Sequence, residues 1–237
     1  MQTIVFDDYK TGIFIIVIKN RFLCEVEIDS KIVVCYVPSS CHLSNFLNLY
    51  KKKVLLVPTR TPNSRTPYAL FAVPYKQSYI VLNTSMANRV IEADIKRRFF
   101  SYLGKRENVM REYSVSGYKC DLYIKDTDTM VEIKSIISTN SRALFPTVYS
   151  ERAINQLLKI QEILQSEQRV CFCIVSLHPY VCEIVIDQKT EFYIELKRCI
   201  NLGMLLHGYT TRFDKNGVKI EHEIPISFID SSSIGTI

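Results

Sequence analysis

The chain has 237 residues, 47% hydrophobic and 23% charged, a globular composition with interior enough for one large domain or two small ones, which excludes a disordered chain. Its longest apolar run, Ile13 to Ile18, is far too short to cross a bilayer, and the N-terminus lacks the cationic-then-apolar order of a signal peptide, so a cytosolic protein with no membrane partner is expected. The net charge of +6 is uneven: residues 1–80 carry 10 Lys/Arg against 5 Asp/Glu, and residues 86–106 hold Arg89, Lys96, Arg97, Arg98, Lys105 and Arg106 against Glu92 and Asp94. A polyanion such as nucleic acid would meet those regions, although a solvated surface explains the charge equally well.

In chain order, Gly12–Ile18, Phe22–Ile28, Lys31–Val37, Val54–Val57 and Ala69–Val73 are rich in β-branched and aromatic residues and are separated by turn-forming clusters such as Asp29-Ser30 and Thr61-Pro62-Asn63-Ser64. Short strands at this spacing predict a small barrel or sandwich, an oligonucleotide-binding barrel being one such form, interrupted by a helical piece over Leu43–Tyr50. Lys51-Lys52-Lys53 could follow a phosphate backbone, and Tyr36, Phe46, Tyr50, Tyr68 and Tyr75 could stack on bases; a solvated run and ordinary core aromatics are the competing explanations.

From about residue 80 the pattern changes. A strand over Tyr79–Leu82 leads into a helical period from Ser85 to about Leu103. Strands are predicted over Arg111–Val115, Tyr118–Ile124 and Met130–Ile136, then a helix over Glu151–Gln165 with Ser150 as N-cap and Ile154, Leu157, Leu158 and Leu164 on one face. A buried strand over Val170–Leu177, a helix over Glu191–Leu202 and strands over Leu205–Arg212 and Gly217–Ile224 complete a mixed α/β part. Residues 1–80 and 81–237 are the expected division. The eight cysteines are scattered with no C-x-x-C pair and several lie in apolar runs, so free thiols acting as small hydrophobes are expected; Cys41-His42 lacks a second ligand pair for zinc. His178, His207 and His222 have no motif around them and read as structural.

The chemistry lies in Asp121…Glu132-Ile133-Lys134. If Lys125-Asp126-Thr127-Asp128 connects a hairpin with Ile124 opposite Thr129, Asp121 falls across from Glu132, with Cβ atoms roughly 5 Å apart. Two carboxylates that close call for a cation, and a hard ion such as Mg²⁺ suits an all-oxygen site completed by water and phosphate. Lys134, on the same face as Glu132, could hold the attacking water or stabilise phosphoryl charge. A surface hairpin with a weak Glu–Lys pair is the alternative.

Several blocks then resemble one family. Asn20-Arg21-Phe22-Leu23-Cys24-Glu25-Val26, Arg65-Thr66-Pro67-Tyr68, Leu82-Asn83-Thr84-Ser85-Met86-Ala87-Asn88-Arg89, Asp121 with Val131-Glu132-Ile133-Lys134-Ser135, Phe145-Pro146 and Ser150-Glu151-Arg152 occur in the order found in the sugar fermentation stimulation protein A family. The resemblance implies an N-terminal OB-fold-like β-barrel followed by a restriction-endonuclease-like PD-(D/E)-x-K α/β domain. It further implies DNA binding, a link to expression of sugar metabolism genes, Asp121 and Glu132 as ligands for Mg²⁺ or Mn²⁺, and Lys134 as catalytic lysine. Arg152 would face the scissile phosphate, and Arg21, Arg65 and Arg89 would be further contacts to DNA or RNA. The chain departs from the family's pattern at Pro38-Ser39-Ser40-Cys41-His42-Leu43, at Thr147 and at Gln156, which stands where the family has His. Two functions remain: a metal-dependent nuclease, or a non-catalytic DNA-binding regulator that keeps the nuclease fold as a binding surface.

Overall fold

The structure, a computed structural model, describes residues 9–18, 22–39, 43, 47–59, 64–214 and 216–230. Strands β1 (Lys10–Val17), β2 (Leu23–Ile28), β3 (Lys31–Tyr36), β4 (Lys53–Pro58), β5 (Tyr68–Tyr75) and β6 (Ser78–Val81) form one sheet in the order β3-β2-β1-β4-β5-β6. Pairing of Tyr36 with Ala69 joins β3 to β5 and closes the first five strands into a barrel, so no long edge is left among them. The β2–β3 hairpin turns through Asp29 and Ser30, both at positive φ, the two-residue geometry that matches strand twist. Phe14, Cys24, Val26, Cys35, Leu56 and Leu70 fill the interior. Gly12 admits no side chain, because a Cβ there would lie 2.9 Å from the Glu27 carbonyl.

The second sheet has the order β16-β15-β13-β11-β10-β7, from β7 (Val109–Arg111), β10 (Leu122–Ile124), β11 (Thr129–Ile136), β13 (Arg169–Ser176), β15 (Leu205–Asp214) and β16 (Gly217–Ile224). The central β11, β13 and β15 are parallel, and both flanks are antiparallel. A sheet covered on both faces buries every residue, and the alternation here sends side chains into two different cores. Val131, Ile133, Cys171, Cys173 and Val175 join the barrel residues and helix α1 (Met86–Asp94) in the larger cluster. Met130, Ile136, Val170, Phe172 and Ile174 pack beneath α2 (Glu151–Gln165) and α3 (Glu191–Asn201). The chain is thus a two-part fold, a barrel followed by a mixed α/β part, with one apolar core running across the junction. All seven described cysteines are free and six are buried, as expected; Cys41 and His42 lie outside the described residues.

The structure corrects several sequence expectations. The helical period from Ser85 stops at Asp94, and a 3₁₀ turn follows over Arg98–Leu103. Asp94 is buried and its Oδ2 accepts from the Ile220 backbone N–H at 3.0 Å and from Arg97 at 2.9 Å, so the helix ends where its carboxylate serves β16. On α2, Ser150 caps as expected, accepting from Ala153 N–H, but Leu158 is exposed while Ile160 and Ile163 are buried. A small parallel sheet of β12 (Arg142–Leu144), β14 (Glu183–Asp187) and β17 (Ile226–Ile229) had no counterpart in the sequence reading. Tyr118–Ile124 is also not one strand: β9 (Tyr118–Lys119) pairs with β8 (Ser114–Val115), and the chain bends at Asp121 before β10. Among the described residues no helix is long and apolar enough to cross a membrane.

Candidate active site

β10 and β11 pair with Leu122 opposite Val131 and Ile124 opposite Thr129, the expected register, and Asp121 sits at the bend just before this paired stretch, close enough to Glu132 for its charge to be felt there. The connection is a 3₁₀ turn over Lys125–Thr127 closed by Asp128 in the left-handed region. Because β10 begins only at Leu122, the Ile133 N–H is met by the Asp121 Oδ2 carboxylate oxygen, at 2.8 Å, in place of a strand partner. The other oxygen, Oδ1, accepts from the side-chain amide of Asn88 on α1 at 2.7 Å.

Glu132 and Lys134 lie on the face of β11 that α2 covers, between buried Met130 and Ile136. The Glu132 side chain is 5% exposed, and its Oε1 accepts from Lys134 Nζ at 2.8 Å. Lys134 also donates to Gln156 Oε1 on α2 at 2.7 Å. With Glu132 and Gln156 as its two acceptors, Lys134 is placed to stabilise negative charge at this end of β11. Burial raises the Glu132 pKa; the Lys134 charge opposes that and Asp121 adds to it. The Tyr118 hydroxyl is buried beside this carboxylate without completing a hydrogen bond of full geometry, and burial, then Glu132, holds its proton on.

This donor set fits a hard divalent cation. Burial and the neighbouring Asp121 both make the charged form of Glu132 costly, and a cation at this carboxylate would offset that cost. Among the described residues no cluster of three His, Cys, Asp or Glu is present, so a cation here would take most of its shell from water or substrate, as Mg²⁺ does.

Two clefts involve residues that contact the site or belong to it. One, of about 480 Å³, is lined by Tyr118, Glu151, Arg152, Asn155, Gln156 and Lys159. The other, of about 210 Å³, includes Asn88, Arg89, Glu92, Arg111 and Asp121. Arg152 lines the first cleft, with Gln156, and Arg89 the second, with Asp121; both arginines are exposed. Arg65 is exposed ahead of β5 on the barrel and is not brought to either cleft, while Arg21 lies outside the described residues. Among the aromatic candidates Tyr36 and Tyr50 are exposed; Tyr75 instead donates to the Thr139 carbonyl and packs its ring against His178, and Phe46 lies outside the described residues. His207 is tied to Glu223 at 2.6 Å and stacked on Tyr102, a structural arrangement.

Residues 85–217 match the family model described as the sugar fermentation stimulation protein RE domain. The chain belongs to the SfsA family. Similar SfsA-family relatives, each a sugar fermentation stimulation protein homolog, include one from Chloroflexus aggregans, 22% identical over 91% of this chain and 84% of its own length. Another, from Natranaerobius thermophilus, is 23% identical over 88% of this chain and 90% of its own. The solved structure of Pyrococcus furiosus SfsA in complex with Ca²⁺ superposes with a TM-score of 0.81 at 17% identity, covering 96% of this chain and 99% of that one. At that identity the likeness establishes the SfsA fold. Asn88, Gln156 and Tyr118 were not singled out as site residues from sequence: Asn88 meets a partner 33 positions away and Gln156 one 22 positions away, and no local spacing marks such pairs.

Proposed function

We propose that the protein is a divalent-metal-dependent nuclease hydrolysing phosphodiester bonds of DNA or RNA, acting in the cytoplasm. The observation that carries this is the buried Glu132, close to Asp121 and paired on its own strand face with Lys134 at 2.8 Å. Structural needs alone rarely bury a glutamate with a lysine partner close to a second, half-buried acid. In this reading Asp121 and Glu132 hold Mg²⁺ or Mn²⁺, which when bound supplies charge neutralisation and an activated water. The capture of Ca²⁺ by the Pyrococcus relative supports a hard-cation site in this fold. Lys134 stabilises charge developing on the phosphoryl oxygens, and Gln156 keeps its side chain aimed from α2. Arg152 and Arg89 receive the backbone on either side, and the barrel of residues 1–80, with Arg65 and Arg21, extends the contact while residues 81–237 carry the chemistry.

A second reading, a DNA-binding regulator without turnover, has one observation in its favour. Both Asp121 oxygens and Glu132 Oε1 already have partners, so the carboxylates are satisfied without a cation. Cleavage of labelled single- and double-stranded DNA and RNA with Mg²⁺ or Mn²⁺ decides between them. Cutting by wild type that Glu132→Ala and Lys134→Ala abolish is expected; inert wild type, or variants that cut equally well, overturns the nuclease.

A further inference from the structure

We propose that Asn88 is the positioning residue for Asp121, fixing the one orientation in which that carboxylate can share a divalent cation with Glu132. The proposal rests on the reading of Asp121 and Glu132 as ligands given above. Asp121 lies at a bend, half-buried and outside the ladder, since β10 begins only at Leu122. No strand pairing therefore fixes its backbone on the β11 side. Its side chain is instead held by two donors from two elements: the Asn88 amide on Oδ1 at 2.7 Å and the Ile133 N–H on Oδ2 at 2.8 Å.

Each carboxylate oxygen offers two lone-pair directions, so one donor apiece leaves one direction free on each for a cation. With the Ile133 bond alone the carboxylate could still pivot about that contact, and the Asn88 amide removes the remaining freedom. A ligand locked beforehand loses less entropy when the cation arrives.

α1 is rigid enough to serve. Met86, Ala87, Val90 and Ile91 are buried in the large core. Before the helix, the Asn83 carbonyl accepts from Met86 N–H and its Oδ1 from Ser85 N–H, while Thr84 donates to the Pro38 carbonyl of the barrel. At its end, Asp94 is tied to Ile220 of β16. Asn88 therefore reaches Asp121 from a helix fixed at both ends. A residue that only pinned α1 to the sheet would affect stability alone; a positioning residue also changes cation affinity.

The test is Mn²⁺ affinity of nucleic-acid-free protein, by titration calorimetry or by the free-Mn²⁺ paramagnetic resonance signal, for wild type, Asn88→Ala and Asn88→Leu. Asn88→Leu keeps the bulk and removes the donor. Thermal melts of the metal-free proteins report folding separately. Affinity 10–100-fold weaker in both variants, with melting temperatures within a few degrees of wild type, is expected. Wild-type Mn²⁺ binding with both variants within about two-fold of it, or with only Asn88→Ala weakened, overturns the role of Asn88 and leaves the metal site standing. No Mn²⁺ binding by wild type overturns the ligand assignment itself, and the role of Asn88 with it.

Discussion

Replacing Lys134 by methionine keeps most of the side-chain volume and removes the charge that compensates Glu132. In the metal-free protein Glu132 is 5% exposed, beside Asp121, and its ammonium partner at 2.8 Å is itself only 23% exposed. Breaking a buried pair on one side costs about 3–5 kcal/mol; partial access of water to Lys134 puts this case nearer 2–3 kcal/mol at neutral pH. For a chain of this size that corresponds to a melting temperature roughly 5–10 °C lower. The pH dependence separates charge from packing. Glu132 already has a folded pKa above its unfolded one, so its contribution to stability is full below the unfolded value of about 4.5 and is lost as pH rises through the folded value. Lys134→Met raises the folded value further and extends that loss to higher pH. Urea unfolding of both proteins in chelator, from pH 4.5 to pH 8, should show the penalty at the upper end and shrink it towards the lower end. A penalty equal at both ends would refute the electrostatic argument and leave lost packing as its cause.

Asp94→Ala should destabilise by about 2–4 kcal/mol in urea unfolding, seen as a lower midpoint at unchanged slope, because it orphans the buried Ile220 N–H; Asp94→Asn, which keeps an acceptor, should cost less. His178 is fully buried with neither ring nitrogen hydrogen-bonded, and burial, then the Lys76 charge, lowers its pKa to about 4. A depressed base gives stability that is present above its unfolded pKa of 6.5 and lost as pH falls towards 4, so His178→Phe should remove up to about 3 kcal/mol of that acid loss; unchanged pH profiles would contradict it. Arg152→Ala and Arg89→Ala should each weaken nucleic-acid binding across sequences and lower the slope of log affinity against log salt by about one, measured by fluorescence anisotropy at several salt concentrations.

Local pattern was sufficient for the strands of the barrel, for Ser150 as a cap, and for the pairing of Ile124 with Thr129, because a short antiparallel connection leaves few ways to pair two strands whose apolar faces must coincide. It was insufficient where a residue answers to a distant partner. The helix predicted to Leu103 is interrupted where Arg97 turns extended, next to an Asp94 that bonds a backbone N–H 126 positions away. Leu158 satisfies the helical period as well as Ile160 does, and only the sheet beneath α2 decides which is covered. β12, β14 and β17 are short strands paired in parallel across long connections, which no local alternation announces.

The same division holds at the carboxylates. Sequence by itself determined that an acid pair and a lysine share a hairpin, since strand alternation and turn length are local. That Glu132 is buried under α2, that Lys134 is bound to Gln156, and that Asp121 is gripped from α1 were decided by tertiary structure alone. Those contacts join helices to a strand pair over separations of 22 and 33 residues, where chain connectivity imposes no register and only the packing of two cores brings the groups together.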